Sequence, residues 1–177
     1  MKTQNQTMLS ENTLTSRPTD IIAGFPVRPG FFELNGATPL SNGVNFTTHT
    51  RHGTSCELLL FHSGEEEPFA VLPFPNACRI GDVYSMIVMG LDIEDLEYGY
   101  RIDGPYEPEK GHIFDKTKVL LDPYAKAVAG QREWGQQKIG SYHARVVRDS
   151  FDWEDMPQST RKISDLIIYE LHVRGFT

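Results

Sequence analysis

Between Gly43 and Asp103 the chain runs in short segments of apolar positions broken by turn residues. In Val44 to Thr50, Val44, Phe46 and Thr48 alternate with polar neighbours, the period of a strand with one buried face. Cys56 to His62 is denser, with Leu58, Leu59, Leu60 and Phe61 in sequence, and suits a sheet interior. The turn Ser63 to Pro68 separates it from Phe69 to Phe74, and Val83 to Val88 and Glu97 to Ile102 follow. The last of these places Tyr98, Tyr100 and Ile102 on one face, where the two tyrosines are expected to be core residues. Strands of this length and spacing predict an all-β antiparallel sandwich.

The flanking segments have a different character. Residues 1–23 are rich in Thr, Asn, Gln and Ser without periodicity, which predicts a disordered or loosely docked lead-in. Gly24 to Phe32 reads as a loop, as does 105–121. Asp122 to Ala129 reads as a short helix, with Asp122 at the N-cap, Pro123 at N1 and Gly130 past its end. Tyr142 to Arg148 suits one more strand. The expected layout is therefore a sandwich with appended loops over 24–148, a linker over 149–164, and a terminal segment over 165–177. In that segment Leu166 to Val173 is nearly all apolar, interrupted by Glu170 and His172, as in a strand buried on both faces. It has no neighbouring strand after it in the sequence, so the chain reads as cut off.

Composition narrows the function classes. A chain of 177 residues fits one domain with appendages and can bury roughly 70% of its unfolded surface. Fifteen Gly and 11 Pro argue against a helix bundle. The net charge of −7 leaves no basic stripe for a nucleic-acid backbone. No apolar run approaches the roughly 20 residues of a membrane helix, and the polar start has no secretory apolar region. Cys56 and Cys78 make neither a disulfide framework nor a metal set, so the expected location is the cytoplasm.

Candidate chemistry is sparse. Asp149, Asp152, Glu154 and Asp155 lie in a Pro-containing linker and Glu65, Glu66 and Glu67 in a hairpin turn, where solvated charge accounts for them. His49 and His52 are spaced to share a metal, but no third ligand follows, and a surface loop accounts for them too. Gly130 and Gly135 match no phosphate loop, and no cofactor is expected. The aromatic residues offer another chemistry, because pyranose rings pack their C–H faces on exposed rings. Trp134 and Trp153, each in a polar setting, are the candidate platforms; anchoring a loop or linker is the alternative role for both. One stacked ring supplies about 1–2 kcal/mol, against about 4 kcal/mol for millimolar affinity, so weak binding is expected.

A family resemblance then adds to this reading. Gly43-Val-Asn-Phe46, Gly81-Asp-Val-Tyr84, Tyr98-Gly-Tyr-Arg-Ile-Asp-Gly-Pro-Tyr106, Gly111-His-Ile-Phe114, Lys118-Val-Leu-Leu-Asp-Pro-Tyr-Ala-Lys-Ala127, Phe151-Asp-Trp153 and Ile168 to Thr177 resemble, in order, the N-terminal region of glycogen debranching enzymes and isoamylases. The resemblance implies a family-48 carbohydrate-binding module with an immunoglobulin-like sandwich, followed by a family-13 glycoside hydrolase barrel whose first strand would be Ile167 to Val173. His172-Val-Arg-Gly-Phe-Thr177 is similar to debranching rather than branching enzymes. Asp115-Lys116 departs from the Asn-Pro often found after Gly-His-x-Phe, and residues 1–20 match nothing in the family. A barrel takes about 250 residues. The implied nucleophile, acid/base and third carboxylate would all lie past Thr177, and the 177 residues themselves are expected to be non-catalytic. Three readings remain: a brace for the barrel of a glycogen or starch debranching enzyme, an autonomous α-glucan-binding module, and an immunoglobulin-like protein-interaction domain. The segment 165–177 is expected to pair with another copy or to lie on the sandwich.

Overall fold

The computed structural model describes residues 17–130, 142–148, 152, 154 and 160–176. Two antiparallel sheets face each other, as the alternation predicts. The first contains β1 (Asp20–Ile22), β2 (Phe25–Pro29), β3 (Gly36–Leu40), β4 (Gly43–His49), β7 (Arg79–Ile80) and β8 (Val83–Met89), in the order β1-β2-β8-β4-β3. Along β8, β4 takes one edge over its whole length, while β2 and β7 share the other. The second sheet contains β5 (Ser55–His62), β6 (Ala70–Pro73), β9 (Leu96–Asp103), β12 (Ala127–Ala129) and β13 (His143–Arg145), in the order β12-β13-β9-β5-β6. A separate hairpin pairs β10 (Tyr106–Glu107) with β11 (His112–Ile113).

The core lies between the sheets. Val44, Phe46, Tyr84, Met86 and Val88 come from the first, and Leu58, Leu60, Leu72, Tyr98 and Tyr100 from the second. Phe46 meets Tyr98 edge-on at 5.1 Å between ring centroids, a favoured aromatic geometry. The outer face of the second sheet is also dry in part, because Leu59 and Phe61 are fully buried, in keeping with the dense run in β5. Both cysteines are buried and free. Burial raises both thiols, Cys78 to about 11, so they act as small apolar side chains.

Over the outer face of the first sheet, residues 30–34 are strapped by side chains. Asn45 Oδ1 accepts from the Phe31 amide at 2.8 Å, and the Thr47 hydroxyl lies 2.6 Å from that of Ser85. At Gly30 a Cβ would collide with Ser85 Oγ and Asn45 Oδ1. Gly30→Ala is therefore expected to cost about 1–3 kcal/mol, the usual range for overpacking. A urea midpoint equal to wild type would refute this.

Three expectations are corrected. Asp122 to Ala129 is not a helix. Asp122 accepts from the Tyr124 amide at 2.8 Å as an N-cap does, but the chain turns once and Ala127–Ala129 then pairs with β13. Ladder bonds to an open strand edge outweigh a helix too short to be stable alone. Gly24 to Phe32 contains β2, and pairing begins inside the predicted lead-in, at Asp20. Residues 166–172 are in no strand and Val173–Phe176 is one helical turn, with Ile167 fully exposed. An apolar strand needs neighbours for its N–H and C=O groups, and among the described residues none is present. Nor does this segment lie on the sandwich, since its large apolar side chains are at least 44% exposed.

Candidate functional site

Where β9 leaves the second sheet, the chain forms the β10–β11 hairpin and then returns along the free edge of β9. Leu120 and Tyr100 exchange backbone hydrogen bonds at 3.0 and 2.7 Å. Two glycines make the return possible: a Cβ at Gly99 would strike Val119, and one at Gly104 would strike the Phe114 ring. Asp115 closes the turn between, accepting from the Thr117 amide at 3.0 Å and the Thr117 hydroxyl at 2.6 Å. Those bonds, with Lys118 beside them, hold its carboxyl below the usual value.

The 115–118 turn divides two depressions. One, of about 370 Å³, is apolar, lined chiefly by Ile102, Ile113, Phe114 and Leu120 with Asp115 and Lys118 at its rim. Beside it the cross-strand pair Tyr106 and Ile113 stands about 70% exposed. The other, of about 480 Å³, is polar, lined by Ser55, Glu57, Arg101, Asp103, Lys116 and Thr117. Glu57 and Arg101 are direct cross-strand partners. They form no ion pair within 4.0 Å, and the enclosed Nε of Arg101 has no acceptor. The lining has two cations and two carboxylates, so it carries no net charge. An unsatisfied donor and an unpaired acceptor side by side suit a neutral, hydroxyl-rich ligand or a polar protein surface.

A buried pair anchors this region to the core. The Tyr98 hydroxyl donates to Asp122 Oδ2 at 2.8 Å, and Asp122 is 2% exposed. Burial pushes its carboxyl above the usual value, against the opposing pull of the Tyr124 amide and the Tyr98 hydroxyl. Next to it Gly36, at φ 83°, admits the Tyr124 carbonyl where a Cβ would come within 2.9 Å. The turn thus seals the sandwich between β3 and β9.

The two expected sugar platforms, Trp134 and Trp153, lie outside the described residues. Tyr98 and Tyr100 are core residues, as expected. Residue type alone overlooked the two depressions. Their signal was in the strands: Glu57 and Arg101 are charged residues alternating with core positions, and Gly111-His-Ile-Phe114 puts large apolar side chains into a predicted loop. Among the described residues no three His, Cys, Asp or Glu side chains are placed to hold a metal ion, and no helix is long and apolar enough to cross a membrane.

By architecture the class is an antiparallel two-sheet sandwich with shallow depressions at its loops and outer sheet face. The sequence profile of carbohydrate-binding module 48, the isoamylase N-terminal domain, matches residues 35–125, and the chain belongs to this family. It is 35% identical over 169 residues to isoamylase SU1, chloroplastic, of Zea mays, which covers 89% of this chain and 20% of that protein. It is 35% identical over 156 residues to the glycogen debranching enzyme of Salmonella typhi, covering 81% of this chain and 23% of that one. A solved pullulanase from Paenibacillus barengoltzii, in complex with maltohexaose and alpha-cyclodextrin, aligns over 66% of this chain and 15% of its own, at 18% identity and a TM-score of 0.48. The chain spans about a fifth of the length of the curated relatives it matches.

Proposed function

We propose that this chain is the N-terminal accessory module of a cytoplasmic debranching enzyme that hydrolyses α-1,6-glucosidic branch points in glycogen or starch. The observation that carries this reading is the 35% identity to isoamylases and to a glycogen debranching enzyme alike, over more than four fifths of the chain. The sandwich from β1 to β13 braces the catalytic barrel and 149–164 is the linker. Segment 165–177, whose described residues form no strand, becomes the first barrel strand once neighbouring barrel strands pair with it. The apolar depression at Ile102, Ile113, Phe114 and Leu120 is the surface that meets the barrel. Left uncovered, the apolar residues of 165–177 also favour association between copies. A second reading, glucan contact by the module itself, is supported by the unpaired Glu57 and Arg101 in the polar depression.

The test is made on the longer protein that carries this module. It should release linear chains from glycogen, with a rise in iodine colour. Ile113→Asp with Leu120→Asp should lower its thermal midpoint and its debranching rate together. A protein that leaves glycogen unchanged, or that shortens its chains by adding branches, would overturn the debranching assignment. Unchanged stability in the double variant would overturn the apolar contact. Loss of glycogen retardation in Arg101→Ala, with the rate on short branched oligosaccharides kept, would favour the second reading.

A further inference from the structure

The geometry points to a two-histidine site for a divalent first-row transition-metal ion, formed by His52 and His112. The sequence suggested His49 as the partner of His52; the fold supplies a different one. His52 lies in the turn between β4 and β5, held at φ 68°, a left-handed conformation rare outside Gly, Asn and Asp. His112 starts β11, half-buried, and reaches the same place from the other side of the hairpin. Their ring centroids are 4.5 Å apart with the planes at 63°. Among the described residues neither ring makes a hydrogen bond or an ion pair, which leaves the ring nitrogens open to a ligand. The nearest carboxylate by register, Glu107 opposite His112, is taken by Lys110 at 3.2 Å.

The separation puts both rings within reach of one ion. A metal–nitrogen bond of about 2.0–2.1 Å puts an imidazole centroid about 3.2 Å from the metal. Two ligands at about 90°, as in square-planar or octahedral coordination, then have centroids about 4.5 Å apart, and two at the tetrahedral angle about 5.2 Å. The observed spacing is short enough for one ion to reach both rings, and imidazole donors with the usual order of divalent-ion affinities favour Cu(II) and Ni(II). Water completes the coordination, since the protein offers two ligands. A bound ion ties the β4–β5 turn to the hairpin whose Ile113 lines the apolar depression. This inference does not depend on the glucan chemistry of the family.

Cu(II) and Ni(II) are titrated separately into the full chain, with calorimetry for affinity and electron paramagnetic resonance for the copper ligands. One equivalent should bind, with two imidazole nitrogens in the copper spectrum and Ni(II) held more tightly than Zn(II). His52→Asn, chosen because asparagine tolerates the left-handed turn, and His112→Gln should each weaken binding at least about tenfold. His62→Gln and His172→Gln should leave it unchanged. The metal-free variants are melted first, so that a lost isotherm is not confused with lost folding. Wild-type affinity in either His52→Asn or His112→Gln would overturn the site. So would a copper spectrum with fewer than two imidazoles, or binding that follows His62 or His172.

Discussion

Glu97→Ala is expected to remove about 2–4 kcal/mol of stability, because it strands a buried imidazole and takes away the acceptor of two further donors. Glu97 and His143 are 2% and 3% exposed, with Oε2 and Nδ1 3.1 Å apart. The second carboxylate oxygen, Oε1, accepts from the Ser63 hydroxyl at 3.2 Å and the Gly64 amide at 3.1 Å. The imidazole lies flat on Phe61, with ring centroids 3.8 Å apart and planes at 16°. One carboxylate therefore ties together β9, β13 and the turn after β5. Truncation leaves the buried imidazole without its acceptor, removes the bonds from the Ser63 hydroxyl and the Gly64 amide, and nothing refills the space. Glu97→Gln, which keeps the shape and one acceptor oxygen, should cost less. Replacing both Glu97 and His143 by leucine should cost less than Glu97→Ala, because no buried imidazole is then stranded. Urea unfolding of the four proteins makes the comparison. A Glu97→Ala unfolding free energy within about 1 kcal/mol of wild type would show that the pair is structurally idle.

The same rule of reading explains where the sequence was legible and where it was not. β4, β5, β6, β8 and β9 follow from alternation and turn residues, and the dense Leu58 to Phe61 run, which suits a sheet interior, is buried on both faces, as Leu59 and Phe61 show. The run at Leu166 to Val173 has the same pattern and forms no strand. A pattern states which faces a segment must cover; a strand also needs a neighbour to accept its hydrogen bonds. β2 was obscured by its own prolines, which nonetheless fit a strand whose partners lie on β1 and β8. β12 carried helix caps, but its ladder with β13 is a long-range fact that local signals do not contain. The candidate surface was hidden for a related reason. Tryptophans stand out by residue type, whereas Arg101 and Glu57 matter because register sets them side by side.

Asp122→Ala is expected to cost about 2–4 kcal/mol, because it takes the acceptor from two donors at once, one of them the fully buried Tyr98 hydroxyl. The Tyr98 hydroxyl and the Tyr124 amide both bond this carboxyl, at 2.8 Å each. Tyr98 is fully buried, and its neighbour Tyr100 already has a buried hydroxyl without a partner, so the lost acceptor has no substitute nearby. The pH dependence of Asp122→Asn gives a sharper test, since asparagine copies the shape of the neutral acid. Burial raises the Asp122 carboxyl above its ordinary value of 3.8. A raised acid binds its proton more tightly in the folded protein than in the unfolded chain. Its contribution to stability is then greatest below 3.8 and declines as pH rises through the raised value. Wild type loses that contribution on going from acid to neutral pH, and Asp122→Asn has none to lose. The cost of Asp122→Asn should therefore be larger at about pH 3.5 than at about pH 7. Stability of both proteins, measured by urea unfolding across that range, decides the sign. A cost that grows with pH would mean that the native state favours the ionised carboxylate, and that the Tyr98 and Tyr124 hydrogen bonds outweigh the burial that raises it.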